Sequence, residues 1–112
     1  MKESFGSYIK KLRVENNLTL TQLAAKLDLD SANLSKIENG KRDFDEKRLV
    51  LLSDTFKIEI DELKKEYFGD FIARKIYDSN CSEEILLVAE EKVNYLKSIN
   101  VKQAKINFDN EK

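Results

Sequence analysis

Ser31, Ala32, Asn33, Ser35 and Lys36 form a small, polar and cationic set threaded between the apolar residues Leu34 and Ile37. If Leu34 and Ile37 point into a core, a helix over this stretch turns the other five toward solvent or a partner. Lysine can donate to guanine O6 and N7, serine and asparagine can bond to base edges, and alanine can meet a thymine methyl. The chemistry on offer is recognition of base edges; the ordinary alternative is a solvated helix surface. Nothing else in the chain suggests bond-making. There is no histidine, no glycine-rich phosphate loop and no nucleophile motif, so no catalytic residue, metal site or cofactor is expected.

The elements that must hold this set follow from capping residues and periodicity. Ser4 can cap a first helix carrying Phe5, Tyr8, Ile9 and Leu12 and ending near Asn16 and Asn17. Thr19 can cap a second, with Leu20, Leu23, Ala24 and Leu27 inward and the small Ala24 at the close approach of two helices. Asp28 and Leu29 make a tight turn, with Asp28 in the left-handed region and Leu29 beneath it. Asp30 then caps the third helix, and Asn39-Gly40 closes it. Two short helices joined this way place the second in a DNA major groove. A fourth helix is expected from Asp45, carrying Leu49, Leu52 and Phe56. Ile58 and Ile60 cover the core before Asp61-Glu62-Leu63 opens a fifth.

Residues 5–64 resemble the Cro and phage-repressor type helix-turn-helix domain. The resemblance is carried by Leu18-Thr19, Leu23-Ala24, Leu27, the run Leu34-Ser35-Lys36-Ile37-Glu38-Asn39-Gly40-Lys41-Arg42, and Ile60-Asp61-Glu62-Leu63. It implies that Ser31, Ala32 and Lys36, with Asn33 and Ser35 beside them, face the bases of double-stranded DNA. Asn39, Lys41 and Arg42 would grip the backbone, positioning rather than specifying. It also implies a structural pair between Arg13 and Glu38. Members of this family often carry a phosphate-contacting glutamine directly after the threonine that starts helix two. Here that place is Leu20, which leaves Thr19 and Gln22 as the backbone contacts of that helix.

Beyond Leu63 the resemblance thins and periodicity carries the reading. Leu63, Tyr67, Phe68, Phe71, Ile72 and Ile76 extend the fifth helix to about Ser79. Asn80-Cys81-Ser82-Glu83 offers a capping box for a sixth, marked by Ile85, Leu86, Val88, Ala89, Val93, Leu96 and Ile99. A helical hairpin of this kind has more apolar surface than a small DNA-binding domain needs. Phe68, Phe71, Ile72, Ile85, Val88, Val93 and Leu96 are therefore candidates for dimerisation, the alternative being that the hairpin folds back on helices one and five. The expected organisation is a DNA-binding domain over 1–64, a dimerisation extension over 65–99 and a polar tail over 100–112. In that tail Ile106 and Phe108 either fray or cover a partner chain.

Composition agrees with an all-α chain: 112 residues, 37% charged, three glycines and no proline leave little turn chemistry for hairpins of strands. Residues 1–42 hold eight Lys/Arg against five Asp/Glu, or +3; residues 43–64 hold four against seven, or −3; the rest hold eight against nine, or −1. The positive excess thus coincides with the candidate motif, as contact with phosphates requires. The single cysteine, Cys81, permits no internal disulfide and reads as a packing residue, with oxidant sensing as the alternative. With no signal peptide and no membrane span, a cytoplasmic location is expected. The expectation is a homodimeric DNA-binding transcriptional regulator, most simply a repressor of a palindromic operator. The alternatives are an antitoxin-like module whose C-terminal helices bind a partner protein, and a scaffold that has lost DNA binding.

Overall fold

A computed structural model describes the backbone of residues 4–110 and the side chains of residues 4–100. The described residues form α1 (Phe5–Glu15), α2 (Leu20–Lys26), α3 (Ser31–Glu38), a 3-10 turn (Glu46–Arg48), α4 (Leu49–Phe56), α5 (Ile60–Asp78) and α6 (Ile85–Asn110), with no strand among them. They fall into two compact units, Met1–Ala73 and Arg74–Lys112.

Each of the first three helices starts on a side-chain cap. Ser4 Oγ accepts from the Ser7 N–H, Thr19 Oγ1 from Gln22, and an Asp30 carboxylate oxygen from Asn33. Gln22 returns the bond, its Oε1 accepting from the Thr19 N–H at 2.9 Å, which completes a capping box. The helices end on residues in left-handed conformation: Asn17, Asp28, Gly40, Lys57 and Asn80, all with φ between 54° and 76°. After each of α1 to α5 the amide of the next residue reaches back to a carbonyl of the last turn, as in Leu29 N–H to Ala24 O at 2.9 Å and Lys41 N–H to Lys36 O at 2.8 Å. These bonds satisfy carbonyls that the helix itself leaves open. A chain with three glycines thus turns mostly on Asn and Asp, the side chains that tolerate this region best.

Phe5, Ile9, Leu23, Ala24, Leu27, Leu34, Ile37, Phe44, Leu49, Leu52 and Leu63 build the core of the first unit. Leu20 and Leu29 pack against it half-buried. Phe44, which the periodicity does not mark because it lies outside any helix, sits in an aromatic group with Phe5 and Tyr67. The Phe5 ring lies 5.6 Å from Phe44 and 5.3 Å, edge-on, from Tyr67. The Tyr67 hydroxyl donates to Phe44 O at 2.8 Å, and the Phe5 N–H donates to Asp70 Oδ2 at 3.2 Å. The start of α5 therefore belongs to the same core as α1.

Three expectations are adjusted. Asp45 precedes a 3-10 turn, and α4 proper begins at Leu49; Arg48, the last residue of the turn, is tied by its side chain. Its Nε and Nη2 donate to Leu27 O and Asp28 O at 3.0 and 3.1 Å while Nη1 pairs with Asp45 at 2.6 Å, so the residue is pulled toward the α2–α3 turn. The 80–83 stretch is not a capping box: Asn80 is the left-handed terminator of α5, Ser82 Oγ accepts from the Glu84 N–H, and α6 starts at Ile85. Finally, α6 continues to Asn110 instead of ending near Ile99, because no glycine or proline interrupts the sequence there. The side chains of Ile106 and Phe108 lie outside the described residues.

Gly6, missed as a constraint in the sequence, marks where α1 crosses the end of α3. A Cβ there would lie 2.0 Å from Ile37 O. Gly6→Ala should therefore lower the unfolding free energy by about 3 kcal/mol, measured by urea denaturation. A change below about 0.5 kcal/mol, the scale of an ordinary surface substitution, would show that the helices are not this close.

Candidate nucleic-acid interface

Leu34 and Ile37 are buried, so α3 docks by that side and presents the opposite one. Ala32, Ser35, Lys36 and Asn39 follow at helical spacing along the presented face. Ser31, Ala32, Lys36 and Asn39 are exposed, and Asn33 and Ser35 are half-buried. Thr19 and Gln22 are exposed at the start of α2, and Lys41 and Arg42 are exposed in the loop after α3. The side chains named from the sequence thus stand at the surface of α2, α3 and the following loop. Their own bonds differ, however. Gln22 Oε1 is engaged in the capping box, so only its amide hydrogens remain to meet a phosphate. Asn39 Nδ2 lies 3.5 Å from Ser35 Oγ, at the outer limit of a hydrogen bond. Asn33 is bound at both ends of its amide, donating to Asp30 Oδ2 at 3.0 Å and accepting from Arg42 Nη1 at 2.7 Å.

What sets the angle of this surface is the Arg13–Glu38 pair. Arg13 Nε meets Glu38 Oε2 at 2.8 Å and Nη2 meets Oε1 at 3.0 Å, while Nη1 donates to Leu18 O at 3.0 Å. One guanidinium therefore ties α1, the loop before α2 and the last residue of α3 together. The Glu38 side chain is 3% exposed and that of Arg13 13%. The hydrogen bonds to Glu38 raise the Arg13 guanidinium above its ordinary value; burial works against this, and the Glu38 charge reinforces the rise. Because the folded-state value is raised, this contribution is present throughout the neutral range and is lost only as pH climbs through it, in strong alkali.

Two residues of the interface framework escaped the sequence reading. Arg48 holds the carbonyls of the α2–α3 turn, a role foreshadowed only by its i, i+3 spacing from Asp45. Gly6 admits the end of α3, and a lone glycine inside a helical pattern is the signal that could have found it.

Comparison with known proteins bears on this geometry. A helix-turn-helix family profile matches residues 9–63, which contain α2, the turn, α3 and Glu38. The HTH-type transcriptional repressor RghR of Bacillus subtilis (strain 168) is 32% identical over 108 residues, spanning 84% of this chain and 80% of that protein. The chain belongs to the helix-turn-helix transcriptional regulators of Cro and phage-repressor type. A second relative of this regulator, the control protein C.MunI of Mycoplasma sp, is 41% identical over 64 residues, 56% of this chain and 86% of that one. Among solved structures, a chain of the SinR protein/SinI protein complex aligns with TM-score 0.48 and 22% identity, over 84% of this chain and 98% of that chain. Membership of that family makes the regulator a DNA-binding protein, and α2, the turn and α3 lie within the matched residues. Among the described residues no group of His, Cys, Asp and Glu could hold a metal ion, and no helix is long and apolar enough to cross a membrane.

Arg13→Ala should destabilise the regulator by about 3–5 kcal/mol, because it strands the buried Glu38 carboxylate. Replacing both partners by apolar residues, Arg13→Met with Glu38→Leu, should recover most of that loss in the same urea titration. A double variant no more stable than the single one would show that the pair itself, not the stranded charge, sets the cost.

Proposed function

We propose that this regulator is a homodimeric repressor that occupies an inverted-repeat operator and excludes polymerase from it. The observation that carries this reading is the pairing of an exposed polar α3 face with exposed apolar side chains farther along the chain. Phe71 is 52% exposed on α5, and Val88 and Leu96 are 49% and 57% exposed on α6. Phe68, Ile72, Ile85 and Val93 are also exposed. Apolar side chains left open in such number favour a self-complementary partner, and a second copy of the chain is the simplest one. Residues 1–64 then serve as the DNA-binding part, 65–99 as the dimerisation extension and 100–112 as the tail.

Dimerisation also serves recognition. One helix reads only a few base pairs, whereas two related by a two-fold axis read half-sites about one helical turn, roughly 34 Å, apart. Ser31, Ala32, Ser35 and Lys36 are the residues that touch base edges, and Thr19, Gln22, Asn39, Lys41 and Arg42 those that hold phosphates.

Selection of bound sites from genomic DNA tests this directly: an inverted repeat is expected, and enrichment of no sequence would overturn the reading. On the selected duplex, Lys36→Ala should reduce discrimination against random DNA by about 1–3 kcal/mol. Arg42→Ala should weaken both and lower the salt slope by about one unit. Unchanged discrimination by Lys36→Ala would remove that lysine from the base contacts. Val88→Asp with Leu96→Asp should turn the dimer into a monomer in sedimentation equilibrium with little change in helicity, because both side chains are open to solvent within one chain. A variant that stays dimeric would place the interface elsewhere, and co-purification of an unrelated chain at fixed stoichiometry would favour a heterologous partner.

A further inference from the structure

Asn33 lies on the recognition helix, where asparagine can read adenine by presenting its amide oxygen and nitrogen together. Here both ends of the amide are already taken. Asp30 accepts twice from this one residue, from its backbone N–H at 2.7 Å and from its Nδ2 at 3.0 Å. A carboxylate only accepts, so it fixes the nitrogen of the amide on its own side and turns Oδ1 the other way. Oδ1 then accepts from Arg42 Nη1 at 2.7 Å. The loop reaches that position because Gly40, at φ 76°, reverses the chain after α3, and Lys41 N–H closes on Lys36 O. These bonds fix the orientation of the amide and leave only one Nδ2 hydrogen and one Oδ1 lone pair for a base.

We propose that Asn33 is a positioning residue that aims the Arg42 guanidinium at DNA and does not itself read a base. The inference rests on α3 being the DNA-reading helix. The chain of carboxylate, amide and guanidinium is charge-assisted at both ends, so each bond polarises the next. Arg42 engages Asn33 through Nη1 alone, leaving Nε and Nη2 to meet phosphate oxygens. An arginine held in place before binding loses less rotamer freedom on complex formation than one swinging free in a loop. Asp30 thereby caps α3 through the backbone and orients Arg42 through Asn33.

A double-mutant cycle on the full-length chain tests this, using as probe the duplex that the native chain enriches from a random pool. Asn33→Ala should weaken binding about 5-fold with Arg42 present and less than about 2-fold in an Arg42→Ala background. The base preferences selected by Asn33→Ala should match those of the native chain at every position. Thermal unfolding of each variant separates this from a loss of fold, which would weaken binding equally in both backgrounds. Multiplying effects, or a base position at which Asn33→Ala alone loses preference, would overturn the positioning role while leaving DNA recognition by α3 standing. A native chain that enriches no duplex would overturn DNA recognition itself, and the positioning role with it.

Discussion

Among the described residues Glu38 is the one charged side chain buried in the core, and the geometry of the surface formed by α2 and α3 depends on it. A buried carboxylate without a partner is strongly unfavourable, and Arg13 lies alongside to pair with it. Arg13 in turn spends its three nitrogens on Glu38 and on Leu18 O. The net stabilisation from such a pair is small compared with an apolar substitute, but its directional bonds fix what apolar packing leaves adjustable. The end of α3 must meet α1 at one place, and the loop into α2 must pass the same guanidinium.

Around that joint, the termini of the helices do the remaining positioning. Thr19 and Asp30 start α2 and α3, and Asp28 and Gly40 stop them in left-handed conformation. Helices this short have little stability of their own, so caps and packing carry them. Arg48 adds bonds from outside the motif, holding the Leu27 and Asp28 carbonyls. Sharp ends matter for the proposed reading because a one-residue shift in where α3 begins rotates its side chains by about 100°. Ser31 and Lys36 would then face the wrong way.

The elements most legible in the sequence were those set by local chemistry. Ser4, Thr19 and Asp30 cap as their residue types suggest, and Leu34 and Ile37 turn inward as their spacing requires. The terminator of α5 was less legible, because Asn80 is as good a cap as it is a left-handed residue and nothing local decides between them. Arg48 and Gly6 left only faint local signals, and Phe44 none. Each acts on a partner about 20 or more residues away along the chain, and periodicity records only neighbours.

For the recognition surface the division is similar. The sequence by itself determined which side chains α3 offers, because helical spacing and the buried pair of Leu34 and Ile37 leave only one face for Ser31, Ala32, Ser35 and Lys36. Only the tertiary structure decided that Asn33 is bound at both ends. Its partners are a cap at the start of the helix and an arginine beyond its end, brought together by the reversal at Gly40. A hydrogen bond needs a distance and an angle, and between residues on either side of a turn those are set by the fold, not by residue type.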